Sequence, residues 1–244
     1  MAAIYDIHGN LPALEAVIDE IRQSRVDQIV VGGDVVPGPM PRESILRLLE
    51  LDLPVKFIHG NGDRVVLAQM KGAESSEVPG QFREVIRWNA EQLRIEHESL
   101  IKSWPKTLQI EIPGLGKVLF CHATPRDDNE VFTRLTPENR LLEVFERVNA
   151  DLIVCGHTHM QFDLTIGKVR VVNAGSVGMP FGKPGAYWLL LGPTVGLRHT
   201  PYDLATAAAR IRQTGYPQAE NFAARHVLQP PSEQEMLEAF GKLD

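Results

Sequence analysis

Six times along this 244-residue chain a short apolar run stops and a side chain able to bind a metal ion follows at once. Residues 2–5 lead to Asp6 and His8. Residues 28–31 lead through Gly32-Gly33 to Asp34, and 55–58 lead through His59-Gly60 to Asn61. Residues 118–121 lead to His122, 152–154 lead through Cys155-Gly156 to His157-Thr158-His159, and 169–172 lead to Asn173-Ala174-Gly175-Ser176. Apolar runs of this length, bounded by Gly and Asn, predict β-strands. In open α/β sheets ligands bind beyond the carboxyl ends of the strands. A fold that aligns these ends therefore gathers carboxylate and imidazole donors in one crevice. His157 and His159 stand two residues apart, which in extended backbone puts both rings on one side.

The first half of the chain alternates strand and helix. Pro12 opens a helix with Leu14, Val17, Ile18 and Ile21 on one stripe, and its amino end falls beside Asp6 and His8, where free N–H groups suit an anion. A strand to Val31, a loop at 36–41 and a helix carrying Ile45, Leu46, Leu48 and Leu49 follow, an order that predicts a parallel start to a sheet. Residues 64–104 turn polar and helical, compatible with a cap over the crevice or with a helical layer covering the sheet. Trp88 and Trp104 are expected in the core, and His97, between Glu96 and Glu98, at the solvated surface.

From Leu108 onward strands dominate, interrupted by one helix over 137–148; 162–166, 169–172 and 187–191 read as successive antiparallel strands. An α/β half and a β-rich half that both donate ligands predict two sheets packed into one domain over 1–215. The tail at 216–244 holds Ser232-x-x-Glu235, a capping box opening a short helix with Met236, Leu237, Phe240 and Leu243 on its apolar side. That side either packs on its own domain or forms a contact in a homodimer.

The formal net charge is −6 with no block of like charge, which argues against a surface built to track a long nucleic acid. The expected partner is a small phosphorylated substrate, nucleotide-derived compounds included. No apolar run reaches the roughly 18 residues of a membrane span, and no leader fits before the chemistry at Asp6. Cys121 and Cys155 are expected to be reduced and buried. A cytoplasmic protein with no membrane partner is the expectation.

Asp6, His8, Asp34, Asn61, His122, His157 and His159 form an oxygen and nitrogen donor set too large for one ion. Two divalent transition-metal ions sharing Asp34 would use them all; Mn is the first choice, with Fe, Zn, Co or Ni as alternatives. Such a pair clamps a phosphate and holds a bridging hydroxide in line with the leaving group, so no protein nucleophile is needed. Phosphate-binding and nucleophile motifs of the Gly-rich and Gly-x-Ser-x-Gly kinds are indeed absent from the sequence.

Taken in order, Asp6-x-His8-Gly9-Asn10, Gly33-Asp34, Gly60-Asn61-x-Asp63, His122 and Gly156-His157-x-His159 resemble the calcineurin-like metallophosphoesterases. Within that family the resemblance is to the compact prokaryotic phosphodiesterase branch, over residues 4 to about 178. It implies a four-layer α-β-β-α sandwich of two mixed β-sheets flanked by helices. It also implies one ion held by Asp6, His8, Asp34 and His159, and another by Asp34, Asn61, His122 and His157. The departure is Gly62, where the family commonly carries a His that assists the leaving group or holds the phosphate, a contribution worth about 10² to 10⁴ in rate. His59 is the candidate substitute. Arg126 and Asn10 are candidate substrate contacts, and Asn10 and Asp63 are also candidates for orienting ligands and turns. The activity implied is metal-dependent hydrolysis of a phosphodiester or activated phosphoester. A phosphomonoesterase, a protein phosphatase and a scaffold that has lost turnover stand as alternatives. On this reading Gly62→His should raise activity on poor leaving groups.

Overall fold

In each central strand successive side chains are buried on opposite faces, and that alternation sets the layers. In β1 (Ala2–Ile4) and β2 (Ile29–Val31), Ala2, Ile4, Ile29 and Val31 face one apolar cluster while Ala3 and Val30 face another. In β6 (Leu152–Cys155), Leu152 and Val154 share the cluster of Ala3 and Val30, whereas Ile153 and Cys155 face a third. The middle cluster therefore lies between two sheets, and the outer two lie under helices. The computed structural model describes residues 1–242 in this arrangement; Leu243, assigned above to the apolar side of the last helix, lies outside them.

The first sheet has the order β10-β9-β1-β2-β3, with β3 at Val55–Phe57, β9 at Ala186–Leu191 and β10 at Val195–Thr200. The second has the order β4-β5-β6-β8-β7, with β4 at Thr107–Ile112, β5 at Gly116–Cys121, β7 at Phe162–Ile166 and β8 at Val169–Asn173. β1, β2 and β3 run parallel, as do β5, β6 and β8. The second sheet thus has a parallel centre with an antiparallel pair at each edge, whereas the first stays parallel out to β3 and turns antiparallel only at β9 and β10; the ligand-bearing segments all follow parallel strands.

One expected pairing is corrected. β9 does not continue the antiparallel run of β7 and β8; it joins the first sheet antiparallel to β1, with Ala2 opposite Leu190. Its Leu189 and Leu191 face the middle cluster and Trp188 the outer one, so both its faces are buried. Periodicity identifies such a strand but not its neighbour. β10, which pairs with it, was not expected at all.

Helix α1 (Leu11–Gln23) begins as its sequence predicts: the Asn10 carboxamide oxygen accepts from the Ala13 N–H, and Pro12 sits in the first turn. With α2 (Pro41–Leu49) it covers the first sheet. Residues 64–104 supply α3 (Asn61–Met70), α4 (Arg83–Gln92) and α5 (Ile95–Ser103), whose Val66, Val85, Ile86 and Ile101 belong to the same outer cluster. They form a helical layer on that sheet rather than a detached cap. Trp104 is buried and stacks on Phe57 at 4.8 Å. His97, expected in solvent, is only 7% exposed. Its Nδ1 accepts the Arg94 N–H at 3.0 Å and so caps α5, a local contact that its two Glu neighbours conceal in the sequence.

The second sheet is covered by α6 (Glu138–Phe145) through Leu141 and Phe145. α7 (Leu204–Arg212), α8 (Ala219–Phe222) and a π-helical turn at Ala223–Leu228 return to the first sheet's outer layer. α9 (Glu233–Phe240) starts at the Ser232 capping box and lies near the strand-end loops, with Phe240 6.2 Å from Phe181 and Glu233 paired to Arg134 at 2.8 Å. Both cysteines are buried and free. No helix among the described residues is long and apolar enough to cross a membrane.

Candidate metal centre

The loops after β1, β2, β5 and β6, with the first residue of α3 after β3, carry all seven candidate ligands, and the chain bends sharply to turn them inward. Asp6, His8, Asp34, His157 and His159 have φ between 46° and 67°, and among the described non-glycine residues only Arg25 shares that conformation. Left-handed backbone costs on the order of 1 to 3 kcal/mol per residue and tends to persist where function holds it. Glycines make the close approaches: a Cβ on Gly60 would lie 2.2 Å from Asp34 Oδ1, and one on Gly156 would lie 2.4 Å from Asp6 Oδ2.

Asp6 Oδ1 lies 3.3 Å from His159 Nε2, 3.8 Å from His122 Nε2 and 3.9 Å from His8 Nε2. Asp34 spans the centre, with Oδ2 3.7 Å from His8 Nε2 and Oδ1 3.6 Å from His122 Nε2. Asn61 Oδ1 is 3.0 Å from His122 Nε2, and the His157 ring lies 5.2 Å from that of His122. The structure thus brings all seven together. Asp34 reaches toward both His8 and His122. Asp6 is shared as well: it belongs both with His8 and His159 and with Asp34 and His122.

The hydrogen bonds fix what these groups offer. Nδ1 of His8, His122 and His159 each faces a backbone carbonyl, of Pro37 at 3.2 Å, Gly32 at 2.9 Å and Met179 at 2.7 Å. A carbonyl only accepts, so each Nδ1 carries the proton and each Nε2 presents a lone pair to the centre. His8 Nε2 and His159 Nε2 are 3.2 Å apart with no proton to share between them, and Asp6 Oδ1 is buried without a hydrogen-bond partner. Converging lone pairs around an orphaned carboxylate oxygen lack one component, a cation. The donor set fits borderline divalent metals.

The ionisation states agree. Burial, reinforced by the neighbouring Asp6 charge, pushes Asp34 well above the usual carboxylate range. Burial works to raise Asp6 too, but His159, His122 and His8 outweigh it and hold that carboxyl low. Burial pushes His8 and His157 down to about 3, so both are neutral near pH 7. Two buried carboxyl groups beside the neutral rings of His8 and His157 suit a bound cation.

Asp63 ties the loops together. Its Oδ2 accepts the N–H groups of Asp34 at 2.8 Å and Gly60 at 2.9 Å, and its Oδ1 that of Val36 at 3.1 Å. Burial, then the Asp34 charge, raises it to about 7. Asn10, a candidate substrate contact, is instead fully buried: it caps α1 and donates to Gly178 O at 2.9 Å, so it orients loops. Arg126, the other candidate, is tied to Glu130 on the rim of a cleft of about 780 Å³ shared with Arg64, Lys106 and Asp128. His59 lies beside the same cleft, its Nδ1 3.7 Å from Asp128 Oδ2 and without a hydrogen bond.

Gly62 overturns the expectation built on it. Its N–H donates to Asp34 Oδ1 at 2.7 Å, and a Cβ there would meet Val36 O at 2.7 Å, Pro37 Cδ at 2.8 Å and Asp34 Oδ1 at 2.9 Å. The 36–38 loop fills the space a side chain would need, so a His at 62 does not fit this backbone. Sequence reasoning missed Asp128, which receives Arg64 bidentately at 2.8 and 2.9 Å and carries no spacing signal. Ser176, at the sixth strand end, donates its hydroxyl to Asp6 O at 2.8 Å. His226, in the tail, comes near enough for its charge to couple to His159 and shares a cavity with His8; nothing in the sequence connects it to the centre.

Comparison with known proteins places this arrangement. The calcineurin-like phosphoesterase superfamily domain matches residues 1–192. An uncharacterized protein of Methanocaldococcus jannaschii is 32% identical over 197 residues, which cover 74% of this chain and 76% of that protein. Phosphodiesterase YfcE of Escherichia coli K12 is 25% identical over 196 residues, covering 76% and 83%. The crystal structure of a metallophosphoesterase from Sphaerobacter thermophilus superposes with a TM-score of 0.71 at 26% identity, covering 91% of this chain and 97% of that one.

Proposed function

Because this chain belongs to the calcineurin-like phosphoesterase superfamily, we propose that it is a metal-dependent phosphoesterase acting on phosphodiesters or activated phosphoesters. The observation that carries the reading is Asp6 Oδ1, buried, unpartnered and faced by three Nε2 lone pairs. Asp6, His8, Asp34 and His159 would hold one divalent ion and Asp34, Asn61, His122 and His157 a second, with manganese the first candidate. When bound, the ions neutralise phosphate charge and bring water to an acidity at which it can attack. The chain's own part is positioning: carbonyls hold three imidazoles in one tautomer, and Asp63 keeps the Asp34 and Asn61 loops in register.

The preference for activated esters follows from Gly62. No proton donor fits there, so the leaving group departs with little help from the protein and must itself be stable as an anion. The diester part of the reading rests on the phosphodiesterase name of the E. coli relative. Purified protein supplied with Mn is expected to hydrolyse bis-p-nitrophenyl phosphate, and p-nitrophenyl esters faster than alkyl esters of the same phosphate. Inactivity on the p-nitrophenyl esters, in protein holding less than one transition ion per chain, returns the fold to the scaffold alternative.

A further inference from the structure

The family match ends at residue 192, yet the segment that follows walls one side of the centre. Tyr216 packs edge-on against Trp88 at 5.5 Å and against Phe222 at 6.0 Å, joining the tail to α4. Phe222, Ala223 and Val227 are buried in the outer cluster of the first sheet. Between this segment and the ligand loops lies a cavity of about 290 Å³, with His8, Pro37 and Met179 on the side of the centre and Phe82, Phe222 and His226 on the other. Pro37 and Met179 are the residues whose carbonyls orient His8 and His159, so the cavity adjoins the centre directly.

Its chemistry differs from that of the centre. The wall is mostly aliphatic and aromatic, with Val85, Ile86 and Tyr216 in it and the polar Gln218 and Asn221 on one side. One polar group stands out: His226 has its ring 5.2 Å from Phe222, and its Nδ1 is buried with no hydrogen-bond partner. That nitrogen is occluded, and the ring lines the cavity through its other atoms. His226 sits on a π-helical turn; such turns are rare and are frequent at functional sites. A phosphate has no use for an apolar wall. The organic substituent of a phosphoester does, and a cavity of about 290 Å³, at the small end of ligand sites, fits one ring system rather than a polymer.

We propose that this recess is the subsite for the substrate's organic group: it takes a single aromatic or heteroaromatic ring of the phosphoester, with His226 as its polar contact. The inference rests on the phosphoesterase reading above and names the class of ester that reading leaves open. Titration calorimetry of the Mn-loaded full chain with phenylphosphonate and methylphosphonate separates the two, because the head group is common and only the ring differs. Phenylphosphonate should bind on the order of tenfold more tightly, the gain of burying a ring. The ratio should fall toward one in His226→Ala and in Asn221→Trp, a change at an exposed residue lining the same cavity. If His226→Ala fails to fold, as read by circular dichroism, Asn221→Trp decides. Equal affinities in the unaltered protein, or a ratio that survives Asn221→Trp, overturn the subsite and leave the metal reading standing. Failure of both phosphonates to bind the Mn-loaded protein overturns both.

Discussion

The two flanks of the centre are built from opposite materials. Beside His59 and His157 the wall is charged: Arg64, Lys106, Arg126, Asp128 and Glu130 line an open cleft. Beside His8 and His159 it is apolar, closed by Phe82, Val85, Ile86 and Phe222. The charged flank looks better suited to a phosphate, but its arginines are already engaged. Arg64 is shared between Asp128 and Glu77, and Arg126 is held by Glu130. These pairs fold the 123–130 loop onto α3 and leave little uncompensated positive charge there. On the proposed reading, phosphate charge is then met in the centre by ions and discrimination among esters falls to the apolar side, where His226 Nδ1 is buried without a hydrogen-bond partner.

The largest effect is expected where both flanks meet. Asp34→Asn removes the carboxylate that faces His8 and His122 together. The change should cost several kcal/mol of transition-state stabilisation, on the order of a thousandfold in rate. Turnover of bis-p-nitrophenyl phosphate and metal content by mass spectrometry both report it; near-normal activity with two ions retained would remove Asp34 from the shared position. Gly62→His comes next. Forcing a side chain against Val36 O and Pro37 should cost about 1 to 3 kcal/mol in overpacking and shift Asp34. Monoester activity should therefore fall rather than rise, with a lower Tm. A gain in monoester turnover would show that the 36–38 loop yields and that the flanks owe less to it than the contacts imply.

Both flanks were unequally legible in the sequence. The centre could be read because each ligand follows an apolar run, and burial on both faces of a parallel strand leaves a mark that survives without the structure. The partner of β9 could not, since Trp188 and Leu189 declare a strand buried on both sides and say nothing of which sheet receives it. The charged flank was glimpsed through Arg126, readable as a phosphate contact or as a surface ion pair, but its other half stayed hidden because the pairing of Arg64 with Asp128 joins residues 64 apart. The apolar flank was invisible. His226 reaches the cavity through a π-turn set by packing of Phe222 and Val227, and no spacing rule encodes that. At Gly62 family resemblance correctly marked the departure, but only backbone contacts show why no side chain belongs there.

A smaller effect probes the apolar flank through pH. Burial first, then the charges of His159 and Arg225, push His226 down to about 4. From about pH 6.5, the ordinary value, down to the folded value, the unfolded chain binds a proton that the folded chain refuses. Stability contributed by the neutral ring is therefore whole above that window and is lost as pH falls through it. Removing the group in His226→Gln should make the acid loss shallower by on the order of 2 kcal/mol, read by urea denaturation of metal-free protein at pH 7 and pH 4.5. Identical pH slopes would show that His226 is solvated and the recess wet.

The smallest effect belongs to the charged flank. Arg126 is 56% exposed at its side chain and spends its guanidinium on Glu130, four residues along the chain. An exposed pair of this kind contributes little to stability, and if it binds no phosphate its loss should leave the chemistry alone. Arg126→Ala is expected to alter kcat/KM for bis-p-nitrophenyl phosphate by less than about twofold. A tenfold rise in KM would mean that the pair opens when substrate arrives and that Arg126 grips phosphate as the sequence first implied. The two flanks would then divide the substrate between them, charge on one side and ring on the other, instead of leaving recognition to the apolar side.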